Sequence, residues 1–190
     1  MNHTLKCNCF LLFIILALSN KCFSQQTNYI GLDFTIEKAS GSFRPGPGLV
    51  FESQITRHSG IETGAYYRTY MQDFYVTVSD STDTRIFYGQ VAERHVSVPL
   101  QYKFYSRIIN LAAGPTFDFY LGWKQKHKST SLEVNAYNVD PVFFIGFIAK
   151  ASKSIRLSEN FILEPEIRFN PIITSERNYL GFAVAGKYKL

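Results

Sequence analysis

Cysteine is scarce and confined to one end of the chain: Cys7, Cys9 and Cys22 are the only three in 190 residues. From residue 23 onward there is no thiol to serve as nucleophile, metal ligand or disulfide partner. Tryptophan occurs once and methionine twice. No apolar run approaches the roughly 20 residues that a membrane-spanning helix needs, and mean hydropathy is −0.06. A bundle of membrane helices is thereby excluded. Helical periodicity of convincing length is missing as well. No phosphate-binding glycine loop is present, because Arg44-Pro45-Gly46-Pro47-Gly48 reads as a turn. His3, His58, His95 and His127 are too far apart in sequence for a metal motif. What is abundant is aromatic side chains, at 16%, which excludes a disordered chain.

Residues 1–24 have the layout of a secretory signal peptide. Lys6 precedes an apolar run from Cys9 to Leu18, and small or polar residues lead to Ser24. Cleavage after Ser24 is the expectation. An uncleaved anchor and a lipoprotein modified at Cys22 are the alternatives, the latter opposed by Lys21 where a small residue belongs. Cleavage removes every cysteine and leaves one domain, 25–190. Lys6 and Lys21 leave with the segment, so the formal charge falls from +5 to +3. That excess is modest, and a secreted location removes nucleic acid as a partner.

The remaining chain alternates with period two, the signature of strands. Eight segments are expected, near 29–38, 48–57, 61–70, 93–104, 109–123, 141–155, 161–170 and 179–190. One face of each is apolar and uncharged, as in Ile30, Leu32, Phe34 and Ile36, or Leu111, Ala113, Phe117, Phe119, Leu121 and Trp123. The opposite faces carry acids (Asp33, Glu37, Glu52, Glu62, Asp118, Glu164, Glu166) and bases (Arg68, Lys103, Lys150, Arg168, Lys187, Lys189).

Two all-β architectures fit such alternation. A soluble ligand-binding barrel turns its apolar face inward, and a membrane barrel turns it outward. Three features favour the second. The segments match tilted membrane strands of roughly 9–11 residues. Short connections at 57–60, 105–108 and 156–160 alternate with long ones at 39–47, 71–92, 124–140 and 170–178. Small residues such as Gly31, Gly64, Gly114 and Ala183 share the charged face, as a narrow interior requires. The expected fold is therefore an eight-stranded, antiparallel, up-and-down, closed transmembrane β-barrel. Its interior would be a polar network of Glu62, Arg68, Lys103, Asp118, Lys150, Glu164, Glu166, Arg168 and Lys187, with no open diffusion pore. Pro99, Pro115 and Pro165 lie in mid-strand, where a missing N–H demands a bulge or a lost ladder bond.

Several strands resemble the PorT-like outer-membrane β-barrel family of Bacteroidetes. His95-Val96-Ser97-Val98-Pro99-Leu100-Gln101-Tyr102-Lys103-Phe104 is similar to that family's proline-containing strand. Asn110-Leu111-Ala112-Ala113-Gly114-Pro115-Thr116-Phe117 looks like its "aGP" strand, and Glu164-Pro165-Glu166-Ile167-Arg168-Phe169-Asn170 resembles its "E.RY" strand. The chain departs from it by ending in Leu190 rather than an aromatic residue. The resemblance implies an outer-membrane location, a link in some members to protein secretion, and no catalytic residues.

Two constellations could carry chemistry. Glu93, His95 and Ser97 share a strand face and hold the residue types of a hydrolase, so an outer-membrane lipid-modifying enzyme is one alternative. Glu164, Glu166 and Arg168 could pair carboxylates. Same-face neighbours on one strand lie about 6.5–7 Å apart, which favours barrel filling for both sets. No cofactor or metal is expected. The segment 71–92 offers Phe74, Tyr75, Ile86, Phe87 and Tyr88 as a partner-contact surface, its two arms extending a hairpin. Lys124, Lys126 and Lys128 form a basic stretch suited to lipopolysaccharide. The resulting expectation is a monomeric, non-enzymatic protein that acts through its loops on membrane lipid, lipopolysaccharide or an envelope protein.

Overall fold

The computed structural model describes residues 26–39, 41–79, 84–128 and 142–190. The expected signal segment 1–24 and residues 129–141 of the third long connection lie outside them. The described residues form strands joined by turns. These are β1 (Thr27–Ala39), β2 (Ser42–Gln54), β3 (Ser59–Ser79), β4 (Thr84–Phe104), β5 (Asn110–Lys128), β6 (Phe143–Ser152), β7 (Ile155–Arg156), β8 (Phe161–Ile172) and β9 (Arg177–Lys189). Every pairing is antiparallel. The order β6-β5-β4-β3-β2-β1-β9-β8 is closed by β6–β8 pairing. The two-residue β7 continues β6 along β8. Eight staves thus form a ring without an edge, the arrangement that leaves no row of backbone groups unpaired in hydrocarbon.

The polarity of the wall is inverted relative to a water-soluble domain. Leu32 is 70% exposed and Phe182 62%. Phe34, Leu49, Leu100, Leu121 and Ile167 are likewise exposed. Their strand neighbours point inward and are buried: Asp33, Glu62, Gln101 and Arg168 are all at 3% or less.

The first connection is not a long loop. β1 and β2 pair without a break from Thr27↔Gln54 to Ala39↔Ser42, and Gly41 turns the chain at φ 81°. Arg44-Pro45-Gly46-Pro47-Gly48 is therefore strand rather than turn. Pro45 and Pro47 are tolerated because the β2–β3 ladder stops at Gly48↔Tyr66, so this stretch has a laddered partner only in β1. The other described prolines follow the same rule. Pro99 faces a gap in the β3–β4 register, which passes from Thr63↔Leu100 to Tyr66↔Ser97. The Thr63 hydroxyl donates to its carbonyl at 2.7 Å. Pro115 faces the gap between Pro99↔Thr116 and Tyr102↔Ala113 in β4–β5. Pro171 faces the gap between Gly146↔Ile172 and Ala149↔Phe169, and Pro165 stands where β6 gives way to β7. In each case the absent donor falls where no ladder bond is made.

A bulge in β5 changes the face of one aromatic residue. The β4–β5 register shifts between Arg94 and His95, so that Arg94 pairs with Gly122 and His95 with Tyr120. Gly122 adopts φ 142°, which a side chain would resist. Trp123, expected on the lipid-facing side, becomes the cross-strand partner of the buried Glu93 and stands on the interior side.

Interior space is tight enough to require glycine in β5. A Cβ at Gly114 would sit 2.0 Å from the Leu100 carbonyl oxygen. Gly114→Val is expected to lower stability by about 3 kcal/mol. The measurement is loss of the compact, heat-modifiable band on semi-native electrophoresis after refolding in detergent.

Candidate functional site

The barrel interior is filled by three tiers of charge. The tier nearest the short turns is built on Glu52 (β2), Glu62 (β3) and Glu164 (β8). Glu52 and Glu62 are direct cross-strand partners, an unfavourable pairing of like charges. Lys103 of β4 and Lys187 of β9 resolve it. The Lys103 ammonium donates to Glu52 at 2.8 Å, Glu62 at 3.1 Å and Glu164 at 2.6 Å. Lys187 donates to the same three at 2.6, 2.9 and 2.6 Å. Each ammonium thereby spends all three N–H donors on carboxylates. Lys150 of β6 donates to the second oxygen of Glu62 and lies 2.8 Å from Glu166. Ser152 donates to Glu164 at 2.5 Å, and the Tyr105 hydroxyl donates to Glu52 at 2.7 Å. All six carboxylate oxygens are engaged. Tyr105 belongs to the β4–β5 turn. Burial and the neighbouring Glu52 charge push its phenol above the ordinary range, which keeps it protonated as a donor.

The middle tier is centred on two arginines. Arg168 bonds Asp33 at 2.5 Å and Glu166, and its guanidinium lies 4.8 Å over the Tyr66 ring. Arg68 bonds Glu37 at 2.9 Å, Ser97 at 3.2 Å and Asn170. It covers the Tyr179 ring at 4.8 Å and stands 3.8 Å from Asp118. The third tier holds Arg177 at the start of β9. It donates to Glu93 at 2.6 Å and lies between the rings of Tyr70 and Phe144, at 4.3 and 4.9 Å. Above the middle tier, Ala39, Phe144, Ile172 and Tyr179 form an apolar cluster with Tyr70 packed against it.

The nine residues read from the sequence as an interior network are all buried, at 5% exposure or less. Sequence reasoning omitted Asp33, Glu37, Glu52 and Glu93 from that set, although the first three share its strand parity. It also omitted Arg177, which fell in an expected connection. Charge complementarity could have found Arg177, because eight buried acids face only five buried Lys and Arg residues.

The arrangement decides against two kinds of chemistry at these positions. Among the described residues, one group has metal-ligand spacing: Glu52, Glu62 and Glu164, with carboxylate oxygens within 4.8 Å of one another. Two ammonium groups already bridge these carboxylates, so the set does not fit a metal. His95 Nε2 stands 3.1 Å from Glu93, but the recorded partner of the Ser97 hydroxyl is Arg68 rather than His95. Ser97 is also 1% exposed. The three residues are not assembled as nucleophile, base and orienting group. Glu164 and Glu166 are likewise bound to cations.

At the opposite end from the short turns, β3 and β4 run on as a ribbon. The β2–β3 ladder ends at Tyr66 and β4–β5 pairing starts at Gly89↔Lys128, yet β3–β4 pairing extends to Ser79↔Thr84. The expected connection 71–92 is therefore largely strand. Tyr75 and Tyr88 are direct partners, exposed at 72% and 67%, and Ile86 is exposed beside them. Phe74 is half-buried with its ring across Gly89. Lys124 and Lys126 belong to β5 rather than to a loop, and both are exposed. The side chains of Phe87 and Lys128 are outside the described set.

No family model and no curated protein matches the sequence. Among solved structures the chain is similar to Ail, the attachment invasion locus protein of Yersinia pestis. That match has 10% identity and a TM-score of 0.45, covering 87% of this chain and 97% of that one. It is similar to the outer membrane protein OprG of Pseudomonas aeruginosa, with 11% identity, a TM-score of 0.48, and coverage of 87% and 95%. Neisserial surface protein A matches with 10% identity, a TM-score of 0.47, and coverage of 88% and 98%. At such identity no residue role transfers from these proteins. The polarity of this wall stands on its own: a closed ring, charged within and apolar without, is a membrane-spanning β-barrel.

Lys103→Met removes one of two ammonium groups from three buried carboxylates. It is expected to cost about 3–5 kcal/mol, read from denaturant unfolding in micelles. The double variant Lys103→Met with Glu164→Gln is expected to recover part of that loss, because it also removes a carboxylate.

Proposed function

We propose that this chain is an integral β-barrel of a bacterial outer membrane that works without catalysis, as a structural and interaction protein. The observation that carries the reading is the inverted wall. Exposed Leu32, Phe34, Leu49, Leu100 and Phe182 surround an interior of ion pairs. In water that wall would be an apolar patch far larger than a soluble monomer tolerates. A soluble carrier would also need a vacant interior, and here the charged tiers and the apolar cluster occupy it.

The interaction surface is the β3–β4 ribbon, whose Tyr75, Ile86 and Tyr88 project beyond the laddered staves and suit an envelope protein partner. A second contact is favoured by Lys124 and Lys126, exposed on β5 near the same end and suited to the phosphates of lipopolysaccharide. The resemblance of three strand segments to PorT-like barrels supports a role in protein secretion or envelope maintenance.

The test is fractionation followed by partner capture. The protein is expected in the outer-membrane fraction, released only by detergent. Deleting 74–88 is expected to leave the barrel in that fraction and remove its crosslinked partners. Recovery in the soluble periplasm would overturn the membrane reading, and identical partners after deletion would overturn the role of the ribbon. Ser97→Ala is expected to leave the lipid A species unchanged by mass spectrometry; an altered profile would restore the enzyme reading.

A further inference from the structure

The rim at the short-turn end is basic and one-sided. Arg57, Arg107, Lys153, Arg156 and Lys189 are exposed there, against a single acidic side chain among the described residues, Glu159. The turn at Thr56–Ser59 is polar and closed by its own hydroxyl contacts. The other two turns are different. Ile108 is 82% exposed and Leu157 58%, with Ile109 and Ile155 beside them. Aliphatic side chains interleaved with cations are the composition of a segment seated at a lipid headgroup layer.

A groove in the apolar wall starts at this part of the rim. The last β6–β8 pair is Ser152↔Glu166 and pairing resumes at Ile155↔Leu163. Between them the Lys153 amide donates to the Pro165 carbonyl at 3.1 Å, and the proline returns no N–H. A cavity of about 400 Å³ lies there, lined by Ala151, Ile167, Phe182 and Val184 on three strands, and by Ile109 and Lys153 at its turn end. Small Ala151 stands directly across from bulky Ile167, whose other partner is Phe182, which hollows the surface along the strands. The Lys153 ammonium donates to the Arg107 carbonyl at 2.5 Å. That bond fixes one cation at the head of an apolar channel, against the backbone of the turn that carries the exposed Arg107.

We propose that this groove is a binding site for one anionic phospholipid of the leaflet at the short-turn end. An acyl chain lies along Ala151, Ile167, Phe182 and Val184, and the phosphate is held by Lys153 and Arg107. This inference rests on the membrane reading above. The headgroup charge decides between occupants, because an apolar groove alone would accept any acyl chain, whereas Lys153 at its mouth and the exposed bases of the rim around it favour an anionic one.

The experiment uses the full barrel refolded in micelles and tested first for flotation with vesicles. Native mass spectrometry then follows titration with phosphatidylglycerol or phosphatidylcholine. The wild type is expected to retain one phosphatidylglycerol in preference to phosphatidylcholine. Lys153→Gln and Arg107→Gln are each expected to weaken phosphatidylglycerol retention about five-fold, leaving phosphatidylcholine unchanged. Ala151→Trp, which fills the groove, is expected to reduce both lipids while the heat-modifiable band persists. Equal retention of the two lipids by the wild type, or no change in the double Gln variant, would overturn the site while flotation kept the membrane reading intact. Failure to float would overturn both.

Discussion

Two lysine ammonium groups holding three glutamates are the contact on which the rest of this barrel depends. Lys103 and Lys187 join β2, β3, β4, β8 and β9 at one level. Without them Glu52 and Glu62 would face each other across a ladder with Lys150 as their one bonded ammonium among the described residues. A narrow closed ring cannot hydrate such charges as bulk water would, so each must find its counter-charge among the other interior side chains. That requirement selects long, flexible lysines where several carboxylates converge, and planar arginines in the tier above, where aromatic rings share the space.

The same constraint explains the outer surface. Once polar groups fill the inside, the alternation of a strand leaves only apolar side chains for the outside. Exposed Leu, Ile and Phe are then the counterpart of buried Lys and Glu. The backbone obeys a parallel rule: each described proline stands where the ladder asks for no N–H, and beside one of them, Pro165, small Ala151 leaves a groove in the wall.

Much of this was legible in the sequence because period-two alternation is local. The parity of Asp33, Glu62, Lys103, Asp118, Lys150 and Lys187 follows from their neighbours alone. Features that depend on two strands at once were not legible. Whether 39–47 is a loop depends on Gly41 turning the chain so that Pro45 and Pro47 pair with β1. Trp123 changes sides because of a bulge set by the β4 register. Arg177 finds Glu93 across the barrel from a position that reads as a connection. The exclusion of Ser97 from a catalytic set also required three dimensions, since Arg68 reaches it from another strand.

The first and last staves of the ring meet at a seam, where β1 pairs with β9 and the Leu190 amide donates to the Asn28 carbonyl at 2.9 Å. β9 is the last stave of the ring in chain order, and it carries Lys187. A chain that has not yet received this strand holds its three glutamates with one bridging ammonium fewer. Sealing the cylinder and balancing its charge are therefore one event, and an unfinished barrel is marked by the electrostatics of its own interior.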